Sequence, residues 1–402
     1  MAGKLAASGN LTPMSGREFV QSPGPTNIPH DVLAAASRPA TDFYSADFRA
    51  LVDRCHDGLQ RVFKTSGPIV FLTSSGHGGW ESAIVNLVPP GGRVLVPVAG
   101  RFGEAWAGMA ENLGVRTERL ELDWRRAVDP MVVADRLAAD SDHEIAAVLL
   151  VHTETATGIT CDLPAIRAAV DATGHPALFV VDAVASLAIS PVPMDELRLD
   201  AVLAASQKGL MMPPGMAYIA VSRRAVEAAM AGGQPSSYWS WRERLAGDGY
   251  VRFGGTPPEQ HLFALDVALQ RIEREGLDSV IARHHRLASA VRRAVEVWSE
   301  EGGIDFQAAV PEERSDAVTC IRTADGIDAD RIRLVAGERF SVTLGAGLGP
   351  LTGRAFRIGH LGDLNEPMIL GALGGVEAAL VACEVPIGRG GVSAAAELLG
   401  ST

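Results

Sequence analysis

Asp200-Ala201-Val202-Leu203-Ala204-Ala205-Ser206-Gln207-Lys208-Gly209 is the stretch on which the fold of this 402-residue chain turns. A short apolar run ends at a lysine, and Leu210-Met211-Met212-Pro213-Pro214-Gly215 then redirects the chain. A run this short and continuously apolar fits a strand covered on both faces. Small apolar flanks suit a lysine at a strand end that points into a cleft. An amine held there loses its proton more readily and can form a Schiff base with an aldehyde. The same residues also fit a turn lysine on a solvated face. Partners elsewhere in the chain must decide between the two.

Working outward, similar runs recur at Ile69–Leu72, Val94–Val98, Ile145–Val151, Ala177–Val181 and Met216–Val221. Helical patterns separate them, at 48–64 (with Phe48, Leu51, Leu59, Val62 and Phe63 on one stripe), 79–87, 104–113, 130–137 and 163–172. Apolar strands alternating with amphipathic helices predict an α/β domain with a mostly parallel sheet. Long helical stretches at 257–275 and 278–299 follow. From about Ala317 the pattern changes to isolated strands at 317–322 and 356–359, with helices at 328–335 and 366–383. The expected division is an N-terminal arm (1–30), a large domain (31–275) and a small α+β C-terminal domain (276–402).

Net charge is −12 and 47% of residues are hydrophobic, the balance of a globular protein. An acidic chain argues against nucleic-acid and anionic-membrane surfaces and is compatible with small polar substrates in local basic pockets. Cys55, Cys161, Cys320 and Cys383 are scattered without metal-ligand spacing, which fits reduced thiols in the cytoplasm and no metal site. The first twenty residues lack an apolar core of signal-peptide length, and no later run is long enough to span a bilayer.

In open α/β sheets ligands lie beyond the carboxyl ends of the strands. Thr73-Ser74-Ser75-Gly76-His77-Gly78-Gly79 follows the first run and leads into a helix, a small-residue seat suited to an anion or a plain helix cap. Phe102 follows the second, where a ring can stack on a flat ligand or simply pack a helix. His152-Thr153-Glu154-Thr155-Ala156-Thr157-Gly158 follows the third and offers a hydroxyl at Thr155, or a threonine that closes a turn. Asp182 ends the fourth, able to pair with a protonated ring nitrogen or to cap the next segment. His152 and His360 fit packing or hydrogen-bonding roles better than proton transfer.

Taken in order, these motifs resemble the class V, fold-type I aminotransferases, in particular the alanine/serine/aspartate–glyoxylate branch. The resemblance runs from Pro23-Gly24-Pro25-Thr26-Asn27-Ile28-Pro29 to Arg357-Ile358-Gly359-His360-Leu361-Gly362. It implies pyridoxal 5′-phosphate, a seven-stranded large-domain sheet, a small domain and a homodimer with two sites at the interface. It further implies Lys208 as the Schiff-base lysine and proton shuttle, and Asp182 as the partner of the pyridine nitrogen. Phe102 stands at the ring-stacking position and Thr155 near the ring oxygen. Ser75, Gly76, His77 and Gln207 fall at phosphate-contacting positions, and Thr256 at a phosphate contact made from the neighbouring subunit. Arg357 stands where the substrate α-carboxylate is gripped, with Gly24, Pro25 and Thr26 lining the same pocket.

Two departures stand out. Phe253 replaces a frequent tyrosine, and Asp42-Phe43-Tyr44-Ser45 replaces the more usual Asp-His-Arg-Ser in a segment near the partner's site, making Tyr44 a candidate substrate contact. The implied reaction is a ping-pong transfer from serine, alanine or aspartate to glyoxylate or a similar 2-oxo acid. Alternatives are a pyridoxamine–pyruvate-type aminotransferase, a class V lyase or desulfurase, and a cofactor-binding protein without turnover. A dinucleotide-dependent oxidoreductase would need a GxGxxG that is lacking here.

Overall fold

The computed structural model describes residues 16–233 and 235–401. Residues 1–15 of the expected N-terminal arm, which hold most of the stretch read for a signal peptide, lie outside the described residues.

β1 (Phe19–Gln21) belongs to the smaller of the two main sheets. The larger takes β2 (Ile69–Leu72), β3 (Arg93–Val98), β4 (Arg116–Glu121) and β5 (Ile145–Val151). A hairpin of β6 (Thr153–Glu154) and β7 (Ile159–Thr160) stands apart, and the sheet resumes with β8 (Leu178–Asp182), β9 (Ala201–Ala205) and β10 (Ala217–Val221). Its order is β2-β10-β9-β8-β5-β3-β4, parallel except for β10, which is antiparallel to both neighbours. The expected seven-stranded, mostly parallel sheet is therefore present.

The apolar runs become strands because both of their faces are covered. Val148 and Leu150 of β5 enter one core with Phe179, Val181 and Val202, while Leu149 and Val151 enter a second with Val180, Leu203 and Ile219. Helices α1 (His30–Ala36), α2 (Ala46–Phe63), α3 (Gly76–Leu87), α4 (Arg101–Asn112), α5 (Pro130–Ala138) and α6 (Leu163–Thr173) alternate with the strands. The predicted stripe of α2 is buried, and Ser45 Oγ caps the helix by accepting from Phe48 N at 3.2 Å.

The smaller sheet has the order β1-β13-β14-β12-β11, with β11 (Ile304–Phe306), β12 (Val318–Thr323), β13 (Val342–Ala346) and β14 (Ala355–Gly359). β1 pairs parallel to β13, so a strand from the expected N-terminal arm is an edge of the C-terminal sheet. That sheet packs on its own core of Trp298, Ile321, Phe356 and Val376. Helices Glu259–Glu275 and Leu277–Trp298 meet at Gly276, whose φ of +85° is open to glycine and breaks the helix between them.

The β6–β7 hairpin joins the two sheets. Ser315 N donates to the Gly158 carbonyl at 2.9 Å, and Ile159 bridges to Arg314. Gly158 has φ +73°, and a Cβ there would sit 2.9 Å from Cys320 N.

Candidate active site

The site gathers at the carboxyl ends of β2, β3, β5, β8 and β9. Lys208 follows β9, and its Nζ donates to the Pro23 carbonyl. Gly24, at φ +125°, leaves the space that the lysine occupies, because any Cβ there would run into its side chain. Thr26 N donates to the Gln207 carbonyl at 3.3 Å and Thr26 Oγ1 to the Lys208 carbonyl at 3.4 Å. The Gly24–Thr26 segment is thereby held against the lysine loop. Burial, then the Arg357 guanidinium, lowers the Lys208 amine to about 8, with Asp182 pulling the other way.

Asp182 ends β8, buried, with a specific set of donors. Trp80 Nε1 donates to its Oδ2 at 2.8 Å and Val184 N to its Oδ1 at 2.7 Å. Burial raises its acid to about 6, while Val184 N–H, the indole N–H and Lys208 act against that rise. Trp80, which lies within α3, is thus the partner of Asp182 across 102 residues. Its indole also lies 4.4 Å from the His77 ring and 6.2 Å from Phe102, edge to face with the latter. Partial burial and then Arg101 lower the His77 imidazole.

α3 starts at Gly76 behind Ser75, with no side-chain cap and no acid in its first turn. Its first N–H groups and positive dipole end are thus available to an anion. Gly76 packs against the β8–β9 end, where an added Cβ would lie 3.1 Å from Val184 Cγ2. The Gln207 side-chain oxygen is buried and without a partner among the described residues.

Arg357 lies on β14 and is buried, with Nε donating to the Ala346 carbonyl at 2.7 Å and Nη1 to the Thr155 carbonyl at 3.0 Å. Burial lowers its guanidinium from the ordinary value. Gly345 opposite has no room for a side chain, since a Cβ would sit 2.7 Å from Pro23 Cδ and 3.1 Å from Arg357 Cβ. The Thr155 hydroxyl makes no hydrogen bond among the described residues, unlike its carbonyl.

Tyr44 and Thr256 are not brought into this cluster within the chain. Tyr44 is 60% exposed and packs edge-on to Tyr250 at 5.0 Å, and Thr256 is exposed. Phe253 is buried against Phe71, 5.4 Å between ring centres. His152 Nδ1 pairs with Ser186 Oγ at 2.8 Å, and His360 Nε2 with Thr319 Oγ1 at 2.9 Å. Both imidazoles are buried and pushed down, to about 4 and about 3, so they serve as neutral hydrogen-bonding groups. Trp241 is buried on α3, its Nε1 donating to Ser82 Oγ at 2.8 Å, and Trp239 Nε1 reaches Glu81 at 3.0 Å. Cys320 sits inside β12, buried, with its thiol pushed up to about 12, which disfavours a desulfurase nucleophile. A cavity of about 1050 Å³ lined by Lys64, Arg126, His152, Cys161 and Glu313 includes none of Lys208, Asp182, Phe102 or Arg357.

A buried lysine drawn toward neutrality, a buried acid with no ion pair among the described residues, an uncapped helix start and an arginine clamp fit pyridoxal phosphate, which presents an aldehyde, a basic ring nitrogen and a phosphate. Among the described residues, no group of His, Cys, Asp and Glu gathers to hold a metal, and no helix is long and apolar enough to cross a membrane.

The chain is 40% identical over 391 residues to serine–glyoxylate aminotransferase of Methylorubrum extorquens, covering 96% of each chain. It is 39% identical over 386 residues to L-aspartate–glyoxylate aminotransferase of Paracoccus denitrificans, again covering 96% of each. Ureidoglycine–glyoxylate aminotransferase from Bacillus subtilis has a similar structure, with a TM-score of 0.88 at 26% identity over 96% of this chain and 99% of that one. The family model described as Aminotransferase class-V matches residues 19–349, and the chain belongs to that family.

Proposed function

We propose that this protein is a pyridoxal-phosphate-dependent aminotransferase that moves an amino group from a small L-amino acid, serine, alanine or aspartate, to glyoxylate or a similar 2-oxo acid. The observation that carries this reading is a buried Lys208 amine lowered to about 8 beside Asp182 and Arg357. The relatives named for serine–glyoxylate and aspartate–glyoxylate transfer support the substrate class.

The bound cofactor supplies a carbonyl carbon for the lysine and a conjugated ring that takes up electrons released at the amino-acid Cα. Ser75, Gly76, His77 and Gln207 would hold its phosphate, Phe102 its ring face, Thr155 its ring oxygen and Asp182 its ring nitrogen. Lys208 removes and returns the proton, a task suited to an amine near neutral pH. Asp182 keeps its charge through Trp80 N–H and Val184 N–H. Arg357 grips the α-carboxylate of each substrate in turn, because a planar guanidinium matches a carboxylate better than an ammonium does. One carboxylate seat used alternately by amino donor and oxo-acid suits a ping-pong cycle, in which the first product leaves before the second substrate binds.

The active unit is a homodimer. Support comes from the exposed Tyr44 and Tyr250 rings, packed on a half-buried Phe43, which a second copy would cover, and from Thr256, exposed here and suited to reach the partner's phosphate seat. The free cysteines suit a reducing cytoplasm. Steady-state turnover with a panel of amino donors against glyoxylate and pyruvate tests the reading, alongside Lys208→Ala. The variant should lose turnover and the absorbance of the lysine-bound cofactor; retained full activity would overturn the assignment.

A further inference from the structure

Glu154 has no part in the chemistry above, yet it is buried at the centre of the site's framework. Its Oε2 accepts from Phe102 N at 2.8 Å and Gly103 N at 3.3 Å, and its Oε1 from Ala156 N at 3.0 Å. α4 has Gly100 as its N-cap residue and no side-chain cap of its own. A serine or aspartate at position 100 would satisfy those N–H groups locally. Instead the acceptor comes from a hairpin 52 residues away, and Gly100 leaves the room for it, since a Cβ there would run into Glu154 Cγ. A buried carboxylate is costly unless hydrogen-bonded, and here three N–H donors converge on its two oxygens.

The next residue completes the chain of contacts. The Thr155 carbonyl accepts from Arg357 Nη1 at 3.0 Å, and the hairpin is anchored beyond by Ser315 N to the Gly158 carbonyl at 2.9 Å. We propose that Glu154 is a positioning residue: it ties the helix bearing Phe102 to the turn that receives Arg357, fixing the spacing between ring wall and carboxylate clamp. This rests on the roles given above to Phe102 and Arg357. A local cap would stabilise α4 equally but leave the two walls independent.

Glu154→Gln preserves size but offers one acceptor oxygen, so its amide N–H₂ must face a backbone N–H on one side. In the loaded enzyme we expect apparent KM for both the amino donor and glyoxylate to rise on the order of tenfold, with a smaller fall in kcat. Loss of folded protein alone would lower kcat and leave KM unchanged, and that result would overturn the proposal. Gly100→Ala pushes the glutamate from the α4 side. At φ 173° position 100 is extended backbone, so the alanine brings no conformational strain of its own. Hydrogen exchange on this variant's apoprotein should quicken at the 154–158 turn as well as at 100–104; a change confined to 100–104 would also overturn the proposal. Arg357→Ala separates the two levels of inference. Unchanged KM in that variant refutes the clamp itself, whereas the exchange measurement still judges Glu154.

Discussion

Lys208 owes its reactivity to place rather than to residue type. Burial and the neighbouring Arg357 destabilise its ammonium, while Asp182 only partly restores it. Only the neutral amine attacks an aldehyde, and its fraction falls as pH drops through the pKa. Capture of pyridoxal phosphate by the apoprotein should therefore rise with pH to a midpoint of about 8. A midpoint near the ordinary lysine value of about 10.4 would mean a solvated amine. Trp80 acts on the other partner. Trp80→Phe removes one donor to a buried carboxylate, at a cost of about 1–3 kcal/mol, and should raise the Asp182 acid further above about 6. Cofactor affinity of this variant should then fall most at pH 6 and recover toward pH 8, where the carboxylate is ionised again. An affinity loss equal at both pH values would show that the indole acts through packing alone. Arg357→Ala should raise apparent KM for both substrates by about 10- to 100-fold, the worth of hydrogen bonds to a charged group.

At the scale of elements, the β6–β7 hairpin holds Arg357, which lies on the five-stranded sheet, at a site built on the seven-stranded one. Its turn depends on Gly158, which combines φ +73° with close backbone from β12, Val318 O lying 3.2 Å from an added Cβ. Gly158→Ala should cost about 1–3 kcal/mol, read as a lower urea midpoint. A midpoint equal to wild type would mean that the hairpin can shift away from β12 freely. β12 itself encloses Cys320, whose thiol is held far from ionisation.

For the whole molecule, the exposed Tyr44 and Tyr250 rings, packed on a half-buried Phe43, are the surface that the proposed second copy would cover. Ring centres 4.5–5.5 Å apart present one apolar surface beside the segment that departs from the family pattern. Sedimentation at micromolar concentration should give a dimer. The double variant Tyr44→Glu with Tyr250→Glu should shift it toward monomer and weaken cofactor binding at the same time, because Thr256 would no longer reach the neighbouring site. Wild-type protein that sediments as a monomer yet turns over normally would sink both the dimer and the role of Thr256.

What the chain carries locally was legible without coordinates. The runs at β2, β5, β8, β9 and β10 announce buried strands because every residue in them is apolar or nearly so, and strand exits follow directly from strand ends. β4, Arg116–Glu121, stayed hidden because a half-exposed edge strand keeps its charges, and β1 because three residues carry no period. Tertiary structure alone decided the partners. Trp80 meets Asp182 across 102 residues, Arg357 meets Thr155 across 202, and Glu154 caps a helix across 52. No periodicity or propensity encodes such pairs, since each donor finds its acceptor only after sheet order and hairpin placement have brought distant backbone together.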